Sequence, residues 1–354
     1  MERQRIGILT AGGDCPGLNA TIRAIVKTAW EKYDMETVGF IHGYRGLLEP
    51  EYRILTPDAV SGILTRGGTI LGTSREKPFS EEGLAAGAPE KIRATYDELG
   101  LSCLLVLGGN GTQKTGHKLA TVQGMNIIGL PKTIDNDIFG TEVCFGFQSA
   151  VDIATDAIDR IHTTAHSHNR IMVVEVMGHH AGWLALYAGV AGGGDVILIP
   201  EIPYSMDNIA GAIRKRVEEG KEFSIVVVAE GALSAEEAAM DKKEFREMRA
   251  SSRSIGYRVA KEIEEATGLE SRLTVLGYVQ RGGSPCPQDR ILSTRMGAYA
   301  VDMVKNREFG RMVAMRGGKV TSVDLEEVSG RIRFVPPDDS ILRAGRNIGT
   351  CFGD

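Results

Sequence analysis

The sequence predicts an α/β protein with two Rossmann-like, mostly parallel sheets in a three-layer αβα arrangement. Three observations carry that prediction. Short β-rich runs alternate with helical patterns almost throughout, a βαβα rhythm that gives parallel strands with helices on both faces. At 354 residues the chain is long enough for two substantial cores. Loops rich in glycine, acids and arginine recur at strand ends, where open α/β sheets bind their ligands.

Arg5 to Thr10 reads as the first strand. Gly17 to Trp30 follows as a helix, with Leu18, Ile22, Ile25, Val26 and Ala29 on one face. Thr37 to Ile41 is the next strand. Thr56-Pro57 then carries the capping threonine and first-turn proline of a helix start. Ser102 to Leu107 is a buried strand, followed by a glycine loop and a helix from about Thr112. Asn126 to Leu130 is strand-like and Ser149 to His162 helical. Arg170 to Val176, Val196 to Ile199 and Ser224 to Ala229 are strands. Two long helices follow, near Lys243 to Ala266 and Gln288 to Asn306, flanking a strand at Leu273 to Tyr278. The patch Glu236 to Met240 reads as a solvated loop or helix, and Ala191 to Gly194 as a tight connection. No low-complexity linker marks a domain boundary.

Composition excludes several functions. The 41 basic and 46 acidic residues give a net charge of −5 without a basic tail, so no nucleic-acid partner is expected. No apolar run approaches the ~20 residues of a membrane span, and no apolar signal region follows Met1, so neither a membrane nor secretion is expected. The odd set Cys15, Cys103, Cys144, Cys286 and Cys351 lacks a Cys-x-x-Cys pair, and free thiols in a reducing cytoplasm are the simplest reading.

The most informative segment is Leu130-Pro-Lys-Thr-Ile-Asp-Asn-Asp137. Asp and Asn are poor strand formers, so Thr133 to Asp137 is predicted as a loop at a strand's C-terminal end. Two acids beside a lysine suit a site where one takes a proton while its neighbour holds a cation or orients a phosphate. Taken alone, one Asp-x-Asp reads better as an ordinary polar turn; the other motifs at strand ends tip the reading toward a site. Thr10-Ala-Gly-Gly-Asp-Cys-Pro-Gly-Leu-Asn19 and Leu107-Gly-Gly-Asn-Gly-Thr112 each join a strand to a helix. There main-chain amides and the helix dipole favour anions. Neither is a Walker A or a Gly-x-Gly-x-x-Gly fingerprint, which argues against a dinucleotide-dependent oxidoreductase. Gly72-Thr-Ser-Arg75, Ser167-His-Asn-Arg170, Met177-Gly-His-His180, Glu230-Gly231, Arg272 and Tyr278-Val-Gln-Arg-Gly-Gly283 place more polar groups at strand ends. Guanidinium groups grip phosphates bidentately, so arginines beside acids suit a phosphorylated, hydroxylated substrate. His179 and His180 are expected to face opposite sides, and no metal held by histidine is expected.

In this order the motifs resemble the 6-phosphofructokinase family, from about residue 5 to beyond residue 300. That resemblance implies the phosphofructokinase-like fold and phosphoryl transfer to the 1-hydroxyl of fructose 6-phosphate. It also implies domains at 1–147 plus 280–330 for the donor and 148–279 plus 331–354 for the sugar phosphate. By position Asp135 resembles the general base, Asp137 its partner near Mg2+, Thr133 a group touching the transferred phosphoryl, and Arg75 a catalytic charge-stabiliser. Gly13, Arg75, Glu76, Gly109, Asn110, Gly111, Thr112 and Lys132 match the donor site, with Asn110 and Asp137 toward the metal. Thr133, Ile134, Asp135, Arg170, Met177, Gly178, His179, Glu230, Arg272, Tyr278, Val279, Gln280 and Arg281 match the sugar-phosphate site. In this family Arg170 and Arg272 usually reach in from a neighbouring subunit, which implies a homodimer or homotetramer. The chain departs from the family's usual residues at Asn110, where an acid is common, at His179, commonly arginine, and at Tyr278, often histidine. Gly111 leaves room for a nucleotide and points to ATP; Lys132 is the residue seen in pyrophosphate users, and the group carrying both mostly uses ATP. Pyrophosphate is the alternative donor, and a non-catalytic sugar-phosphate sensor the alternative of another class.

Overall fold

Runs of Ile, Val and Leu buried on both faces form most strands, as parallel sheets require. The computed structural model describes residues 3–241, 243–244, 247–248 and 254–354. Its strands are β1 (Arg5–Ala11), β2 (Glu36–Phe40), β3 (Tyr52–Leu55), β4 (Leu101–Gly108), β5 (Ile127–Pro131), β6 (Ile171–Val176), β7 (Val196–Leu198), β8 (Ser224–Ala229), β9 (Ser271–Val275), β10 (Arg311–Arg316) and β11 (Lys319–Asp324). The chain divides into two compact units, Met1–Ser149 with Arg281–Arg333, and Ala150–Gln280 with Phe334–Asp354.

The first unit holds a seven-stranded sheet in the order β11-β10-β5-β4-β1-β2-β3. Its five central strands are parallel, and β3 and β11 are antiparallel edges. Its core joins Leu9, Val38, Leu104, Val106 and Ile127 to Leu119 of the helix Asn110–Gln123. The second unit holds the all-parallel sheet β7-β8-β6-β9, with Val173, Val226 and Val228 packed against Ile255, Val259 and Ile263 of the helix Ile255–Thr267. Each such side chain contributes roughly 1.5–3 kcal/mol by leaving water.

Several expectations need correction. No helix starts at Thr56-Pro57. Ala59 N–H donates to Thr56 Oγ1 at 3.3 Å, but Gly62 turns left-handed (φ +71°) and residues 57–65 stay in turns. A cap signal without a sustained apolar stripe does not propagate a helix. The strand expected to run to Tyr278 stops at Val275, and Gly277–Arg281 is a 3-10 helix entered through a left-handed Gly277 (φ +49°). The β10–β11 hairpin, the strand β3 and the helices Ala88–Glu98, Trp183–Ala191 and Met206–Glu218 were not anticipated. Of the helix expected near Lys243 to Ala266, Ile255–Thr267 is observed, while 242, 245–246 and 249–253 lie outside the described residues. The patch near Glu236 is the helix Ala235–Ala239, closed by a capping box from Ser234 and Glu237.

Candidate active site

Register brings three strand ends of the first unit level. Ala11 pairs with Gly108, and Gly108 with Pro131, so the segments leaving β1, β4 and β5 start side by side. Between β1 and β4 the strand order reverses, since β2 and β3 add on one side and β5 and β10 on the other. Such a switch point opens a crevice between neighbouring loops, the usual ligand position in open α/β sheets. Both glycine loops lie there.

The first loop is gripped by its neighbours. Gly12 adopts φ +80°, donates its N–H to Ser74 O at 3.0 Å and accepts at its carbonyl from Thr73 Oγ1 at 2.5 Å. The Gly72-Thr-Ser-Arg75 segment therefore runs along it and ends in exposed Arg75 and Glu76. Arg281 Nη1 donates to Asp14 O at 3.1 Å, and a Cβ on Gly13 would sit 2.7 Å from that same nitrogen. Glycine at 13 is thus what lets the guanidinium lie against the loop. In the second loop nothing lies within 4 Å of where a Cβ on Gly111 would stand, so that position faces open space.

The acid loop is shaped by its own side chains. Thr133 Oγ1 accepts Asp135 N–H at 3.0 Å. Asn136 takes φ +52°, a conformation asparagine tolerates, while its side chain donates to Glu142 O and accepts Cys144 N–H at 2.9 Å. Asp135 is left half-buried and Asp137 buried. Asn110 Nδ2 donates to Asp137 Oδ2 at 2.8 Å, tying the second glycine loop to the acids. The Lys132 ammonium, buried beneath them, donates to Gly13 O. Burial pushes its pKa down and Arg281 adds to that, against the pull of Cys15, Asp135 and Asp14. Burial pushes the Cys15 thiol up to about 12, so it packs as a neutral group.

These residues fit a divalent cation that arrives with phosphate. Asn110 donates its amide N–H to Asp137, and the Asn110 Oδ1 is buried and without a partner. One carboxylate and one amide oxygen suit magnesium, which keeps several waters and takes phosphate oxygens as further ligands. Among the described residues no group of three His, Cys, Asp or Glu side chains forms a protein-only cage.

In the second unit Met177-Gly178 leaves β6 beside Glu230-Gly231 leaving β8, since Val176 pairs with Ala229. Glu230 N–H donates to Val176 O at 2.9 Å and Gly231 N–H to Gly178 O at 3.1 Å. A Cβ on Gly231 would lie 2.2 Å from His179 O, so only glycine allows the two turns to close. Arg170 and Arg272 sit at the other end of this sheet, both bonded to Glu270. The six residues of β6 span about 20 Å, so these arginines and Met177 do not share one locus within this unit.

Burial and contacts distinguish several of the expected site residues. Ile134 is fully buried, so its side chain offers no ligand surface. Gln280 is fully buried too; its amide accepts Met177 N–H at 3.2 Å and donates to Gly277 O, locking the 3-10 turn to the β6 loop. Tyr278 and Val279 are instead 79% and 68% exposed. His179 and His180 do not face opposite sides, because the strand has ended at Val176: both are exposed, with ring centroids 4.4 Å apart. Asp289 was missed. This buried carboxylate accepts Gly146 N–H at 3.0 Å, Ser149 N–H at 2.8 Å and Ser149 Oγ–H at 2.6 Å, fixing the segment that follows the acid loop. An acid two residues after Pro287 in a helix's first turn was its only sequence signal.

Comparison with known proteins matches the phosphofructokinase family over residues 5–304. The chain is 58% identical to an ATP-dependent 6-phosphofructokinase of Spirochaeta thermophila, covering 98% of this chain and 97% of that one. It is 54% identical to ATP-dependent 6-phosphofructokinase 3 of Bacteroides thetaiotaomicron (99% and 100% covered). It is 48% identical to a pyrophosphate–fructose 6-phosphate 1-phosphotransferase of Amycolatopsis methanolica (94% and 97%). Among solved structures, phosphofructokinase from Saccharomyces cerevisiae superposes with a TM-score of 0.80 at 31% identity, over 92% of this chain and 45% of that longer one.

Proposed function

This chain belongs to the phosphofructokinase family, and we propose that it transfers the γ-phosphoryl group of ATP to the 1-hydroxyl of fructose 6-phosphate, giving fructose 1,6-bisphosphate. The observation that carries this reading is the junction of the two strand-end loops, where Asn110 bonds Asp137 two residues beyond Asp135. Phosphoryl transfer needs positioning and charge stabilisation more than covalent chemistry, and this junction offers both. Half-buried Asp135 takes the proton of the attacking hydroxyl. Thr133, by holding Asp135 N–H, sets that carboxylate's height in the loop. Arg75 offsets charge developing on the transferred group, and the amides of Gly109 to Thr112 with Gly13 and Glu76 hold the donor. Kinases of this kind need a divalent metal; magnesium, held by Asp137 and Asn110, would neutralise phosphate charge.

On this reading residues of the first unit bind the donor, and Met177, Gly178, His179, Glu230, Tyr278, Val279 and Arg281 are sugar-phosphate residues. Arg170 and Arg272, at the opposite end of their sheet, support a homo-oligomer in which a partner supplies them. Among the described residues no helix is long and apolar enough to cross a membrane. Five free thiols support a cytoplasmic location. Pyrophosphate as donor is the second reading, favoured by buried Lys132 and the Amycolatopsis relative. A coupled assay with each donor decides between them: ATP-supported turnover well above pyrophosphate-supported turnover is expected. Asp135→Asn should lower kcat by roughly 10²–10⁴-fold with fructose 6-phosphate binding retained. Wild-type turnover in that variant would remove Asp135 from the base role.

A further inference from the structure

Parallel register sets an unusual ion triad at the start of β6 and β9. Ile171 pairs with Ser271 and Met172 with Arg272, so one step earlier Arg170 stands beside Glu270, whose carbonyl accepts Ile171 N–H at 3.1 Å. Side chains two apart on a strand share a side, which brings Arg272 to the same carboxylate. Arg170 Nε donates to Glu270 Oε2 at 2.7 Å, and Arg272 Nη2 donates to Oε1. One carboxylate therefore draws two guanidiniums, from distant parts of the sequence, onto a single anion position. All three side chains reach solvent, at 30% for Arg170, 42% for Glu270 and 54% for Arg272. Arg170, and then Arg272, hold the Glu270 carboxyl below its ordinary range.

We propose that Glu270 is a resident stand-in for the substrate's phosphate: it keeps Arg170 and Arg272 converged and is displaced when fructose 6-phosphate binds. The proposal rests on the reading of these arginines as sugar-phosphate groups. A solvent-exposed ion pair is weak, whereas a phosphate dianion accepts bidentate bonds from both guanidiniums, so the exchange favours substrate. Glu270 thereby sets the affinity for the sugar phosphate by competing for its site.

The test is Glu270→Gln, with Glu270→Ala as a second variant in the same full-length protein. Both should bind inorganic phosphate more tightly and lower the KM for fructose 6-phosphate, by about two- to fivefold given the usual strength of exposed pairs. The change should fall on KM rather than kcat, which a structural role would not single out. Unchanged or weaker affinity in both variants overturns the competition. Arg170→Ala and Arg272→Ala separate the two levels of argument. If those variants raise KM while the Glu270 variants do not lower it, only the stand-in role fails. If they leave KM unchanged, the assignment of the arginines fails, and the stand-in role with it.

Discussion

Gly111 shows how much a missing side chain can decide. Its Cβ would meet nothing within 4 Å, and its backbone is not left-handed, so a larger residue would fold without strain and project into open space. On the function proposed above, a nucleotide uses that space beyond its terminal phosphates. Gly111→Asp should therefore lower kcat/KM with ATP by roughly 100-fold, since overlap and like-charge approach cost several kcal/mol, and lower it far less with pyrophosphate. Equal losses in a side-by-side donor assay would remove the steric argument. The glycine-rich segment holding Asn110 and Gly111 was legible in the sequence, but the helix starts at Asn110 rather than near Thr112, so both lie in its first turn. The bond from Asn110 to Asp137 was not legible, because the two lie 27 positions apart and meet only through the pairing of β4 with β5.

At the scale of elements, loops are held by buried polar groups that motif reading passes over. Asp289, in the first turn of the helix Pro287–Asn306, accepts three hydrogen bonds from Gly146 and Ser149. Replacing it by alanine strands those donors in the interior at about 1–3 kcal/mol each. Asp289→Ala should lower the thermal midpoint by several degrees and cut turnover, read by calorimetry alongside the assay; an unshifted midpoint would contradict the clamp. Asn19 does similar work, its side chain bonding Arg66 O, Gly67 O and Ile70 N–H. Helices and strands with long apolar runs, such as Leu18–Tyr33 and Ser224–Ala229, were readable because local period and burial agree. The 3-10 turn Gly277–Arg281 and the β10–β11 hairpin were not. Each depends on a partner, the β6 loop through Gln280 in one case and the edge beside β5 in the other.

For the whole molecule the chief prediction concerns assembly. Arg170 and Arg272 stand about a strand's length from Met177 and Glu230 within their own unit; on the function proposed above, a sugar-phosphate site that uses all of them takes its arginines from a partner. Asp135→Asn mixed with Arg170→Ala, under conditions of subunit exchange, should recover about a quarter of wild-type turnover if dimers re-pair at random. No recovery, despite demonstrated exchange, would place Arg170 in its own subunit's site. The amino-acid sequence by itself determined the α/β class, the two glycine loops, the acid segment and the kinship, because periodicity and short motifs are local properties of a chain. Only the tertiary structure decided which loops become neighbours, which side chains are buried, and that Glu270 lies between two arginines. Those facts follow from strand register, a long-range pairing that no short window of sequence contains.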